Sequence, residues 1–308
     1  MTPVYYTSFR AMGCQVTVQL ATSADGDALL RAVPGQFEAL ESELSRFRPD
    51  SGLMRLNRCA GQWCAVTEAL FDTVRAARHA ALITDGLFNP LVLPALRSLG
   101  YDRSFEQIDS PNPVPSGPAA RWQDIELRAQ SRLVRIPAGS AIDLGGIAKG
   151  WAAAKIADEL AAYGPVLVNI GGDMVARGAP AGLSGWPVDI GDPFNNGSVG
   201  QLALKNTSIA TSGVDFRRWR TADGREQHHI IDPRSGRPAQ SDVLSVSVVH
   251  PHAPTAEAYT KAVMLLGAEP GLEWLNQRWY AAGLVVKHDG TVLATDSITL
   301  LFVERTLS

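Results

Sequence analysis

The sequence predicts an α+β fold built mostly on antiparallel sheet. Strand-like and helix-like stretches alternate in blocks, with hairpins at the end, a pattern that supports α+β with mostly antiparallel sheet. The chain closes on short apolar runs at 284–286 and 292–294 around Asp289-Gly290, a dipeptide suited to two-residue hairpin turns. Residues 243–249 are rich in β-branched side chains, as expected of a buried strand.

Composition narrows the function classes. At 308 residues the chain is long enough for one large domain or two small ones. Hydrophobic residues make up 45% and charged ones 19%, ordinary for a globular protein with a real core. A net charge of −3 leaves no polybasic footprint, so nucleic acid is not an expected partner. No apolar run approaches the ~20 residues of a transmembrane helix. The start, Met1-Thr2-Pro3-Val4-Tyr5-Tyr6, has neither a basic segment followed by an apolar one nor a lipid-accepting Cys. A cytoplasmic location is therefore expected as the chain is written, and an exported one if a leader has been removed. Cys14, Cys59 and Cys64 match no zinc spacing. Free thiols are expected, with a Cys59–Cys64 loop disulfide as the alternative in an oxidising compartment.

Local patterns place the elements. Residues 9–20 read as strand, with Val16, Val18 and Leu20 on one face. Residues 28–46 read as helix interrupted near Pro34-Gly35, and 67–84 as helix with Thr67 as N-cap and Asp85-Gly86 closing it. Helix is also expected at 93–101, 151–163, 255–266 (N-cap Thr255) and 273–280. Strands are expected at 133–136, 166–170, 187–190, 199–204, 208–211, 227–231 and 298–303. Pro111, Pro113, Pro115 and Pro118 make 109–119 a surface loop.

The stretch Ala141-Ile142-Asp143-Leu144-Gly145-Gly146-Ile147-Ala148-Lys149-Gly150-Trp151 runs from apolar residues through Asp and two glycines into a helix. At such a helix start, unpartnered N–H groups and the positive dipole end suit phosphate. Glycine lets backbone come close to a ligand, and Lys149 adds a point charge. No Walker loop is present. Read alone, the pattern fits a turn with a solvated lysine equally well.

The segment 143–150 resembles the central motif of the FAD:protein FMN transferases, the ApbE family. Further stretches match in the same order: 168–173 (Val-Asn-Ile-Gly-Gly-Asp), Thr211-Ser212-Gly213, 229–236 (His-Ile-Ile-Asp-Pro-Arg-Ser-Gly), and Ala256-Glu257-Ala258 through Gly267. Ala11-Met12-Gly13 and the segment 47–57 extend the likeness, so it covers nearly the whole chain as a single domain, 1–308. It implies two related halves of mostly antiparallel sheet with packed helices, of the tunnelling-fold type, with the flavin between them. It also implies transfer of FMN from FAD to a Ser or Thr hydroxyl of a partner protein, with release of AMP. An FAD pyrophosphatase and a non-catalytic FAD-binding protein are the rival readings.

Site roles follow from the resemblance. Met12, Phe47, Leu87, Phe88, Asn89 and Ile230 would line the flavin pocket. Phe47 stands where Tyr is usual, and Asn89 where Asp is usual. Asp143, Gly145 and Lys149 would bind FAD, with Lys149 also acting in catalysis. His229 is the expected general base, because an unperturbed imidazole titrates near neutrality. Magnesium would sit on the Gly146 carbonyl and Glu257. The family's usual partner to that acid is a Thr one helical turn later, but this chain has Lys261 there. Thr260 is the nearest substitute hydroxyl. Two arrangements stay open: the Lys261 ammonium replaces the metal in part, or Lys261 turns to solvent and Glu257 binds magnesium with the Gly146 carbonyl, Thr260 and waters.

Overall fold

The computed structural model describes residues 2–109, 113–114, 116–195, 197–222 and 224–299. The chain divides into two compact units, each assembled from separated segments.

The first unit comprises residues 1–37, 149–213 and 242–308. It contains an eight-stranded sheet, antiparallel at every pairing. In spatial order the strands are Val4–Ala11, Cys14–Ala21, Val166–Ile170, Asp173–Arg177, Thr207–Gly213, Val243–His250, Ala282–Lys287 and Val292–Ala294. Val16, Val18 and Leu20 are buried, as the alternation predicts. The predicted strand 9–20 is in fact two strands, because the chain reverses at Met12 and Gly13, both at positive φ (52° and 69°). Met carries no turn signature, so Gly13 was the one local sign of the reversal, and the strand periodicity on either side overrode it. Gly171 and Gly172, at φ 59° and 99°, make a second tight reversal that pairs Ile170 with Asp173. The helix Ala253–Leu266 packs on strands Thr207–Gly213 and Val243–His250. It starts two residues earlier than expected: Pro254 occupies its first turn and His252 its cap. Thr255 therefore lies inside the helix, its hydroxyl 2.8 Å from His252 Nδ1. A two-stranded ribbon, Trp186–Gly191 with Ser198–Leu204, supplies Trp186, Ile190 and Leu202 to a core shared with Leu167, Val249 and Leu284. Residues 296–299 form a short helix where strand was predicted from 298. The rest of that prediction, 300–303, lies outside the described residues, as do 110–112 and 115 of the proline loop.

The second unit comprises residues 38–148 and 214–241. Its helices include Gly52–Arg58, Glu68–Ile83 and Leu93–Ser98, and Thr67 caps the second by accepting from Leu70 N–H at 3.4 Å. A small sheet joins Cys64–Ala65, Leu133–Arg135 and Glu126–Arg128. Ala95, Leu96, Tyr101, Trp219 and Ile231 form a local core. The predicted strand 227–231 is broken: Glu226–His228 pairs with Arg218–Arg220, and Ile231–Asp232 pairs with Arg237–Pro238. The three cysteines are free thiols. Among the described residues no helix is long and apolar enough to cross a membrane.

Candidate functional site

Two charge clusters stand out, one in each unit. In the first unit the helix Ala148–Leu160 carries Lys149 in its first turn. The Lys149 ammonium pairs with Asp173 Oδ2 and lies 3.6 Å from Glu257 Oε2. Asp173 follows the Gly171-Gly172 reversal, which aims its carboxylate, and its Oδ1 accepts from Thr211 N–H at 3.1 Å. Glu257 Oε1 accepts from Gly150 N–H, and Oε2 also faces Lys261 Nζ at 3.8 Å, one helical turn on. Gly150 makes this approach possible: a Cβ there would lie 2.6 Å from Glu257 Oε1 and 3.1 Å from the Ala253 carbonyl. Hydroxyl pairs complete the surroundings, Thr260 with Ser212 at 2.7 Å and Thr211 with Ser247 at 2.8 Å.

In the second unit, Asp143 is buried at the start of the loop that leads to that helix. Its Oδ1 accepts from Gly145 N–H at 2.7 Å, and Oδ2 pairs with Arg46 Nε at 2.7 Å. The Arg46 guanidinium lies 4.2 Å from the ring centroids of both Phe47 and Tyr101 and donates to the Tyr101 carbonyl at 2.7 Å. Tyr101 in turn packs on Trp219, centroids 5.5 Å apart. Burial raises the Tyr101 phenol above its usual range, and Arg217 and Arg46 offset part of that. Asn57 brackets Ile142 from both sides, accepting from its N–H at 2.7 Å and donating to its carbonyl at 2.9 Å. The backbone before Asp143 is thereby held.

The sequence model of the ApbE family matches residues 12–284. The chain belongs to the ApbE family. An FAD:protein FMN transferase of Treponema pallidum is 32% identical over an alignment that spans 92% of this chain and 84% of that one. A Klebsiella pneumoniae protein of the same name is 28% identical, with 89% and 86% covered. The crystal structure of the Thermotoga maritima ApbE protein superposes with a TM-score of 0.87 at 25% identity, covering 98% of this chain and 100% of that one. The flavin transferase ApbE of Vibrio cholerae gives 0.81 at 25%, covering 97% and 99%. The mixed helix and antiparallel sheet expected from the sequence is thus the fold of the ApbE structures.

Several residues expected from the ApbE resemblance are already engaged with their own chain. Asn89 caps the turn that follows it: its Oδ1 accepts from Leu91 N–H at 2.9 Å, and its Nδ2 donates to the Ala120 carbonyl at 3.0 Å. Phe88 is buried beside it, and Leu87 is half-buried. Phe47 is 41% exposed, with Arg46 on its ring. Met12 sits half-buried at a hairpin tip. Ile230 is buried, its N–H donating to His228 Nδ1 at 3.3 Å and its carbonyl accepting from Ala239 N–H. His228 Nε2 lies 3.0 Å from the Ala239 carbonyl, so these contacts fix it as the Nε2–H tautomer. His229, half-buried with Nδ1 turned inward, lies just past the strand end.

Of the magnesium set expected on the Gly146 carbonyl, Glu257 and Thr260, the Thr260 hydroxyl is taken up by its own chain. Thr260 is fully buried, and its hydroxyl donates to the Glu257 carbonyl at 2.7 Å while it pairs with Ser212. Glu257 spends one oxygen on a backbone N–H, and the other, buried and without a hydrogen-bond partner, has two ammonium groups at 3.6 Å and 3.8 Å. Among the described residues no group of three or more His, Cys, Asp or Glu could hold a metal ion. As arranged, these side chains do not fit a divalent cation. Sequence reasoning missed Arg46, Tyr101, Trp219 and Gly150. The one available signal was that Arg46 adjoins Phe47, since no local pattern ties it to Asp143.

Proposed function

We propose that this chain transfers FMN from FAD to a Ser or Thr hydroxyl of an acceptor protein. The hydroxyl oxygen attacks the FMN-side phosphorus, the bond from that phosphorus to the oxygen bridging to AMP breaks, and AMP leaves with that oxygen. The hydroxyl proton passes to a base, for which His229 is the proposed group. Membership of the ApbE family and the names of the Treponema and Klebsiella relatives support the reading. The observation that carries it is the first-unit cluster, where Lys149 and Lys261 stand in front of two buried carboxylates. Phosphoryl transfer needs positioning and positive charge at the phosphoryl oxygens, and it needs no nucleophile on the enzyme. Asp143 and Lys149 lie in one loop-to-helix stretch, so one segment carries both an acceptor for FAD's polar groups and a cation for its pyrophosphate. Phe47, Met12, Leu87, Phe88, Asn89 and Ile230 are assigned to the flavin by the resemblance. No metal step enters, because the Glu257 surroundings do not suit one.

The family match runs through segments of both units, and the chain passes from one unit to the other four times. We therefore take residues 1–308 as one transferase domain. Incubation with FAD and a Ser/Thr acceptor peptide tests the reading. FMN mass on the peptide with AMP released is expected. Free FMN and AMP without peptide labelling would instead make the chain a pyrophosphatase, and unchanged FAD a binding protein.

A further inference from the structure

The Lys149, Asp173, Glu257 and Lys261 cluster is ordered from inside to outside. The carboxylates are at the back, their side chains 4% and 0% exposed for Asp173 and Glu257. The two lysine side chains are in front, each 17% exposed. Two ammonium groups balance two carboxylates, so the cluster has no surplus negative charge to draw in another cation. A divalent ion on Glu257 Oε2 would stand beside ammonium groups already 3.6 Å and 3.8 Å from that oxygen. Like charges that close, behind a low-dielectric wall, repel strongly. The nearest hydroxyl on the helix, Thr260, is turned away into its own hydrogen bonds. An anion meets the opposite situation: the first charges it reaches are ammonium groups.

We propose that Lys261 is a resident cation, with which the cluster binds a phosphoryl group in place of a divalent metal. Glu257 is then a positioning residue. Its Oε1 is locked by Gly150 N–H, and its Oε2 faces the Lys261 ammonium at 3.8 Å, one turn along the same helix. The ligand class is a phosphate diester or pyrophosphate. On the transferase reading, on which this last step rests, that ligand is the pyrophosphate of FAD.

The test uses the full chain and three measurements. Electron paramagnetic resonance of added Mn²⁺, with and without FAD, is expected to show no stoichiometric site. Calorimetry is expected to give the same FAD affinity in EDTA as in Mg²⁺, within about twofold. Lys261→Met should weaken FAD binding in EDTA by about tenfold, the share of a charge-assisted hydrogen bond, and Lys261→Arg should restore most of it. One Mn²⁺ bound per chain and lost in Glu257→Gln would overturn the proposal, as would wild-type FAD binding that collapses in EDTA. These outcomes do not depend on turnover. If FAD binds without metal and no FMN reaches a peptide under any condition, the transferase reading fails while Lys261 stands as the resident cation.

Discussion

The two charge clusters hold the same kind of acid in different ways. Asp143 is paired with a guanidinium that is itself clamped by two aromatic rings and the Tyr101 carbonyl. Glu257 and Asp173 face ammonium groups, compact charges on flexible stems with no preferred plane. The first arrangement fixes an orientation. The second fixes a quantity of charge. Their supports differ in the same sense: Asp143 rests on stacked side chains, whereas Glu257 rests on a backbone N–H that a missing Cβ lets through. Orientation and charge are thus fixed by separate residues.

If both clusters only bind and orient, the proton must be taken elsewhere. His229→Ala is therefore expected to leave FAD affinity intact and to lower FMN transfer by ~10² to 10⁴, measured by peptide mass gain. Normal transfer would return the base to one of the clusters, with Asp173 the next group to test. Glu257→Ala should be the costliest change to stability, ~3–5 kcal/mol by chemical denaturation, because it removes a fully buried carboxylate that accepts from Gly150 N–H and faces two ammonium groups. A loss near zero would mean that water reaches the cluster. Arg46→Lys keeps the charge at Asp143 but loses the planar stack, and about 1–2 kcal/mol of stability should go with it. An unchanged melting temperature would show that charge alone suffices there and remove the contrast. Thr260→Val leaves the Ser212 hydroxyl short of its partner, so about 1 kcal/mol is expected, with transfer unaffected. A selective loss of transfer would instead point to Thr260 acting at the reaction centre.

The sequence by itself determined what depends on near neighbours in the chain. The Thr67 cap, the burial of Val16, Val18 and Leu20, the Asp289-Gly290 hairpin and the glycine-to-helix passage before Lys149 all follow from local periodicity and turn chemistry. The ordered motifs were also enough to place the chain in its family. Only the tertiary structure decided which groups meet. Arg46 and Asp143 are far apart in the chain, as are Gly150 and Glu257, and no local pattern encodes either contact. Where backbone geometry overrode propensity, local reading failed: Met12 turns a hairpin at positive φ, and Pro254 brings the helix start two residues ahead of Thr255. Lys261 is a different case. The sequence already offered its ammonium as a cation beside Glu257, one helical turn away, and the structure adds that Glu257 is fully buried, with Gly150 against Oε1 and Lys261 Nζ 3.8 Å from Oε2.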